Sequence, residues 1–443
     1  MLESVEDEGY VSKSKPSIWE IYSDYDSPKT LAHNIIRSTA FSSPPMKRSV
    51  RPVFSLLLVI VVAATFGCRV AIRNGFGSIY SEGDYSIGKV VPLPPLDLPV
   101  FNSTLIRLAE VDVGEAQLKK EVEQLMEGGY GSVARLRTFA TWRRFFSSGG
   151  IRARTSRGMP VSPRSPEFSK VWSKFRRCLG DWFRKNRFQP GVMEELVELV
   201  KVPIDKHNGL FVDAKKKRKY SSCAVVGNSG ILLGKEYGNL IDSHEGVIRL
   251  NNARIETYQK NVGSKTSLSF VNSNILHLCA RRDDCYCHPY GTNTPIVMYM
   301  CQPAQFLDYV VCNSSHKPPL IVTDPRFDML CARIVKYYSL KRFADSRNKT
   351  LEQWNSAHGG SMFHYSSGMQ AVMLALGVCD RVSLFGFGKS TDAKHHYHTN
   401  QKAELTLHDY LAEYDFYNDL VKRPRVVPFI SNNFHFPPVV IHR

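Results

Sequence analysis

A chain of 443 residues with 43% hydrophobic content has room for one large globular domain, or two ordinary ones, plus tails, and is too apolar to be disordered throughout. Its formal net charge of +17 points to nucleic acid, an anionic membrane surface or an acidic substrate. Which of these applies depends on the side of a membrane on which the charge lies. Residues 1–45 are polar, mixed in charge and lack an apolar period, and they read as a disordered cytoplasmic tail. The run from Val53 to Cys68 is uncharged and strongly apolar. Extended past Arg69 to Ile72, it reaches the ~17–20 residues that span a thin bilayer. Lys47, Arg48 and Arg51 precede it while Arg69 and Arg73 follow, a modest bias toward a cytoplasmic N-terminus. A cleaved signal peptide beginning at Met46 is the alternative. No clean small-x-small site follows the apolar core, which favours an uncleaved signal anchor over residues 46–73.

Residues 74–166 carry Gly, Ser, Pro and Arg clusters around one short predicted helix, Asp112 to Met126, and read as a stem. The Arg-rich part, residues 135–164, reads as a solvated basic linker. In a lumen, the ten cysteines are expected to pair at least in part. The sequons at Asn102, Asn313 and Asn348 fit that compartment. The folded catalytic domain is placed at residues 167–443, beginning near Phe168. Val192 to Val200 has a helical apolar face, and the basic run Lys215 to Lys219 reads as a solvated loop, since a nuclear address is not read behind a membrane anchor. Strand-like runs follow at Ala224–Val226, Val247–Leu250, Leu268–Val271, Pro295–Met300, Leu320–Thr323 and Val382–Phe385. Met329 to Phe343 and Met369 to Val378 read as helices. Such alternation predicts an α/β fold with a covered sheet.

The stretch from Cys223 to Gly230 reads as a buried strand, a Gly-Asn-Ser-Gly turn and a helix starting near Ile231. A strand that feeds a helix through glycines aims backbone N–H groups at one point, which suits a phosphate. Alone, the same four residues are also an ordinary tight turn. Three further blocks follow. One runs Ile241-Asp-Ser-His244, Arg249-Leu-Asn-Asn-Ala253 and Val262-Gly-Ser-Lys-Thr266; the next has Ser366-Ser-Gly368, a helix, Cys379-Asp380 and Gly386-Phe-Gly388; the last holds His395-His-Tyr-His398 and His408 with Glu413 five residues on. Glycosyl transfer needs a base for the acceptor hydroxyl and charge relief on the departing phosphate. A histidine with an ordinary pKa of ~6.5 serves either role near neutral pH. A His-rich stretch is equally compatible with a metal site or a plain surface. Cys279, Cys285, Cys287 and His288 are spaced poorly for tetrahedral zinc and read as disulfide partners. Gly386-Phe-Gly-Lys-Ser-Thr391 mimics a P-loop, but Ser383 stands where its first glycine is required.

Across Ser221 to Phe429 these blocks, in this order, make the chain resemble the sialyltransferase family (glycosyltransferase family 29), with its large, small, third and very small motifs. Within that family the likeness is to the plant sialyltransferase-like branch assigned as a Golgi beta-1,6-galactosyltransferase of arabinogalactan. The resemblance implies a Rossmann-like, GT-A-like catalytic domain and inverting, metal-independent transfer from a nucleotide sugar to a glycan or glycoprotein acceptor, with no cofactor. Asn228, Ser229 and Asn251 would touch the donor. Ser366, Ser367 and Gly368 would line its pocket. His396 would support the leaving phosphate, and His408 would be the base. Cys223 and Cys379 would form the disulfide that links the large and small motifs. A phosphate partner works best protonated and a base works neutral, so a bell-shaped pH profile is expected. The third motif here ends in His398-Thr399 where an acidic residue is usual, and the gap from His396 to His408 is short. Both departures bear on the acceptor. The rival donor is a CMP-linked sialic or other keto sugar acid; the rival class is a non-catalytic glycan-binding or scaffold protein. No Asp-x-Asp lies in the catalytic domain, Asp24-Tyr-Asp26 being in the tail, and no metal is expected. A Golgi anchor adds the Golgi membrane and other glycosyltransferases as partners and removes nucleic acid.

Overall fold

The computed structural model describes residues 101–110, 115–128, 166–210, 218–279, 290–291, 293–313, 316–346, 350–358, 363–388, 393–399 and 408–443. The predicted anchor, the Arg-rich linker, Asn348, Cys285, Cys287 and His288 lie outside these residues. Among the described residues, no helix is long and apolar enough to cross a membrane.

Seven strands form one parallel sheet: β1 Cys223–Val226, β2 Gly246–Leu250, β3 Leu268–Asn272, β4 Ile296–Tyr299, β5 Leu320–Val322, β6 Val382–Phe385 and β7 Val439–His442, in the order β5-β4-β3-β2-β1-β6-β7. Continuous rather than alternating apolar runs suit such strands, because both faces are covered. β1 and β2 are buried along their whole length. Only β7 escapes the sequence reading; it is a short edge strand after Pro437-Pro438 with a mostly half-buried or exposed pattern. The chain builds outward from β1 through β5, then returns to place β6 on the other side of β1. That reversal leaves a crevice at the carboxyl ends of β1 and β6, where open parallel sheets bind ligands.

The longer helices, in chain order, are α1 Ser103–Glu110, α2 Glu115–Glu127, α3 Pro166–Arg184, α4 Phe306–Asn313, α5 Pro325–Asp345, α6 Ser367–Val378 and α7 Tyr410–Lys422. Helix α6 is buried on all sides, which its nearly continuous apolar sequence (Ser-Gly-Met-Gln-Ala-Val-Met-Leu-Ala-Leu-Gly-Val) requires. It packs beneath β1, β2 and β3 and against the helical segment at Val192–His207. Two helices from the segment read as a stem belong to the folded unit. Leu105 and Ala109 of α1 enter the core with α5, and Val122 and Leu125 of α2 join Phe175 and Leu179 of α3 in a second cluster. Packing therefore begins by Phe101, whose ring meets Tyr337 edge-on, well before Phe168. Asn102 is exposed, and its Oδ1 caps α1 by accepting from Thr104 N–H (3.0 Å) and Leu105 N–H (3.2 Å). Asn313 is half-buried at the end of α4.

Cys223 and Cys379 form a disulfide, with Cα atoms 6.0 Å apart across 156 residues of chain. It ties the start of β1 to the end of α6. Cys312 is also disulfide-bonded, while Cys178, Cys301 and Cys331 are free thiols. A crosslink over so long a loop stabilises by ~2–5 kcal/mol. Replacing both Cys223 and Cys379 by alanine should lower the unfolding free energy by that amount in denaturant melts. A loss below ~0.5 kcal/mol would mean the bond constrains nothing.

Candidate active site

A cavity of about 480 Å³ opens at the carboxyl edge of the sheet, and the turns or residues ending β1, β2, β3, β4 and β6 all line it. The turn after β1 differs from its sequence reading. It leads into a short 3₁₀ turn, Gly230–Gly234, and not into a helix. Its glycines bring the strand ends together: a Cβ at Gly227 would sit 2.7 Å from the Gly386 carbonyl oxygen, and one at Gly230 would sit 2.4 Å from that of Lys394. The Gly230 N–H donates to Lys394 O (3.0 Å), so it does not point at a ligand. Ser229 is held likewise, its hydroxyl donating to Gly388 O (2.7 Å). What the turn offers the cavity is Asn228, whose buried Oδ1 has no hydrogen-bond partner among the described residues.

Asn251 follows β2 with φ of 54°, a left-handed conformation that asparagine tolerates better than most side chains. Its Oδ1 accepts from Asn272 N–H (3.1 Å), and the Nδ2 groups of Asn251 and Asn272 both lie 3.5 Å from Ser367 Oγ. Asn272 was missed in the sequence, although a signal existed: three adjacent strands each end at, or within two residues of, an asparagine.

Ser366 caps α6, its Oγ accepting from Met369 N–H (3.1 Å). Glu413 reaches over from α7, accepting the Ser366 N–H (2.7 Å), the Ser366 hydroxyl (2.6 Å) and the Tyr417 hydroxyl (3.2 Å). Burial pushes the Glu413 carboxyl up to about 7 against the pull of those donors. The small and very small motifs are thus joined by hydrogen bonds that spacing alone does not reveal. With Ser366 engaged, the Ser367 and Gly368 N–H groups are the first-turn donors of α6 left at the cavity wall, at its positive end. Asp328, also missed in the sequence, lines the cavity from the first turn of α5. It accepts from the Thr323 hydroxyl (2.9 Å) and the Gln370 amide, and burial pushes it up to about 7.

His408, His395 and His396 line the same cavity. His408 Nδ1 lies 2.9 Å from the His364 carbonyl oxygen. A carbonyl only accepts, so Nδ1 carries the proton and the ring's lone pair is on Nε2. His396 stacks on His395 (ring centroids 4.3 Å) and parallel to His398 (5.8 Å). Burial first, then the two neighbouring imidazoles, press its pKa down to about 4. In the ligand-free site His396 is therefore neutral at neutral pH, and a bound phosphate pulls it back toward the protonated form. Among the described residues, no group of three or more His, Cys, Asp or Glu side chains is arranged to hold a metal ion.

The rest of the large motif is a lock behind the sheet. Asp242 accepts from the Ser264 N–H and hydroxyl (2.8 Å each) and from Lys265 N–H (2.9 Å). Buried Arg249 donates through Nε to Lys265 O and Thr266 Oγ1 (3.0 Å each). His244 donates from Nδ1 to Leu240 O and accepts at Nε2 from the Ser383 hydroxyl (2.9 Å each), joining that lock to β6. None of these lines the cavity.

The chain is 52% identical over 412 residues to a beta-1,6-galactosyltransferase of Arabidopsis thaliana, covering 90% of this chain and 100% of that protein. It is 47% identical over 419 residues to sialyltransferase-like protein 1 of Oryza sativa subsp. japonica, again over 90% of this chain and 100% of the relative. A crystal structure of a mammalian sialyltransferase aligns over 70% of this chain and 96% of its own at 20% identity and a TM-score of 0.36, too low to add to the topology described above. The model of glycosyltransferase family 29 (sialyltransferase) matches residues 165–424, from α3 to the end of α7. The chain therefore belongs to glycosyltransferase family 29 and is a glycosyltransferase.

Proposed function

We propose that the protein transfers galactose from UDP-galactose to a galactose-bearing wall glycan with inversion and without a metal. The observation that carries this reading is that one cavity joins the first turn of α6, an anion site, to a histidine in the right tautomer for a base. Asn228 and Asn251 hold the nucleotide, with Ser229 beside them. The Ser367 and Gly368 N–H groups, with Ser366 as their cap, take the phosphate next to the sugar. His396 adds an N–H to the leaving oxygen. The acceptor hydroxyl attacks the anomeric carbon from the opposite face and its proton goes to His408 Nε2. The bond from that carbon to the phosphate oxygen breaks, and UDP departs. Galactose as the donor sugar rests on the likeness to the Arabidopsis protein, whose name specifies it.

We place the protein in the Golgi membrane as a single-pass type II protein, tail 1–45 in the cytoplasm and the catalytic domain in the lumen, from the apolar run and its basic flank. A reporter fused after Ile72 should be retained in Golgi membranes and protected from protease added outside; its secretion would remove the anchor. Full-length protein in detergent should consume UDP-galactose in the presence of a galactose-terminated oligosaccharide and leave CMP-sialic acid untouched. Turnover of the CMP donor alone would reassign the enzyme to sialyl transfer. Turnover of neither would favour a glycan-binding role.

A further inference from the structure

The cavity continues past the part that donor and base occupy. In the sheet order β4 stands three strands from β1, roughly 14 Å at the usual spacing of neighbouring strands. His408 meets that side through its Nδ1 edge, which is bonded to His364 O. His408 lies 6.2 Å, ring to ring, from His364, which lies 5.9 Å from Tyr299 at the end of β4. The cavity that His408 lines also runs over the end of β4, which gives an acceptor longer than one sugar room to extend there. The wall there is built by Gln302 from the loop after β4, Trp182 and Asn186 from the end of α3 and just beyond it, and Gln117 and Glu121 from α2. Trp182 is half-buried, tilted against Phe306 at 5.6 Å, and its buried indole N–H has no acceptor among the described residues. Gln117 Nε2 donates to Glu121 Oε1 (3.0 Å), which places an amide and a carboxylate side by side.

An indole flanked by amides and one carboxylate matches a pyranose. The apolar C–H face of the sugar lies on the ring, and its hydroxyls meet groups that accept and donate. Glu121 opposes an acidic sugar at this point. We infer that Trp182, Gln117, Glu121 and Asn186 form a subsite for a second, neutral hexose of the acceptor, so that the enzyme takes an oligosaccharide in preference to a single sugar. The inference rests on His408 marking the acceptor side. It assigns specificity to α2, which lies ahead of the residues matched by the family model.

Full-length protein would be assayed with galactose, β-linked galactobiose and galactotriose at saturating UDP-galactose. The same sugars would be titrated calorimetrically without donor. The expected kcat/KM for galactotriose exceeds that for galactose by about tenfold or more. In Trp182→Ala and in Gln117→Leu that ratio should fall to within about threefold, with UDP affinity unchanged, and Trp182→Phe should lie between. Gln117 is exposed, so its variant keeps the test decisive if Trp182→Ala does not fold. Equal efficiency on galactose and galactotriose in the wild type, or an unaltered ratio in Gln117→Leu, overturns the subsite while leaving galactosyl transfer in place. If no transfer occurs but calorimetry shows galactotriose binding about tenfold tighter than galactose, with the difference lost in Gln117→Leu, the subsite holds and the donor reading falls.

Discussion

Replacing His408 by alanine should lower sugar transfer by roughly 10²–10⁴-fold while UDP affinity stays near wild type, because its work is done on the acceptor hydroxyl. The Nδ1–H donated to His364 O fixes the ring so that only Nε2 can take a proton. His396→Ala should behave differently, weakening UDP binding and turnover together, since the proposed function of that ring is to support the leaving phosphate. The pH profile separates the two further. Acidification protonates the base and turnover falls. On the alkaline side, burial and its histidine neighbours hold His396 down at about 4 in the free site, and a bound diphosphate raises it. A bell-shaped profile would mark a protonated His396 on the phosphate, and a single acidic limb would mark a neutral one. Titration of UDP into both variants, with turnover recorded against pH, checks all three statements. Near-normal transfer by His408→Ala would remove this mechanism whatever the donor.

Glu413→Gln should change how stability varies with pH by an amount on the order of 3 kcal/mol, at ~1.4 kcal/mol per pKa unit. Burial raises the Glu413 carboxyl from 4.5 to about 7, so the folded state keeps a proton that the unfolded chain releases. The stabilisation this brings is fully present below the unfolded value near 4.5 and is lost as pH rises through about 7. Asp328, raised from 3.8 to about 7, acts in the same direction. His396 and His398, both pressed down to about 4, act in the opposite direction over an overlapping window. The wild-type curve alone is therefore a poor readout, and the difference between wild type and variant isolates Glu413. Urea melts at closely spaced pH values should show wild type losing ground to Glu413→Gln between about pH 4.5 and 7, with no further change above. A difference that stays constant across that window would show that Glu413 is ionised throughout. The variant should also reduce transfer, since glutamine reproduces only part of the hold on Ser366.

Much of the fold was legible because a parallel sheet buried on both faces leaves continuous apolar runs, and β1 to β6 all carry them. The candidate site was legible as a set of residue types: Asn228, Asn251, Ser366 to Gly368, His396 and His408 all line one cavity. Asn272 could have been added from its place at a strand end. Asp328 could not, and Glu413 was legible as a motif residue but not as the buried partner of Ser366. A carboxylate inside an amphipathic helix reads as a solvated residue until the neighbours that bury it are known. The glycine turn was legible as a turn, but its purpose was not, since Lys394 approaches Gly230 from far along the chain.

The local order of apolar, glycine and capping residues determined the strands, α5, α6 and the sequence of motifs, because backbone preference and burial period act over a few neighbouring residues. Tertiary structure decided which donors remain available and which groups are charged. Glu413 takes the cap of α6, leaving Ser367 and Gly368 at the cavity, and desolvation makes His396 neutral in the free site. Both depend on chain segments that meet only after folding. Tertiary structure likewise placed α2 beside β4: the apolar positions of α2 are too few to mark it as part of a core until α3 supplies the surface against which Val122 and Leu125 are buried.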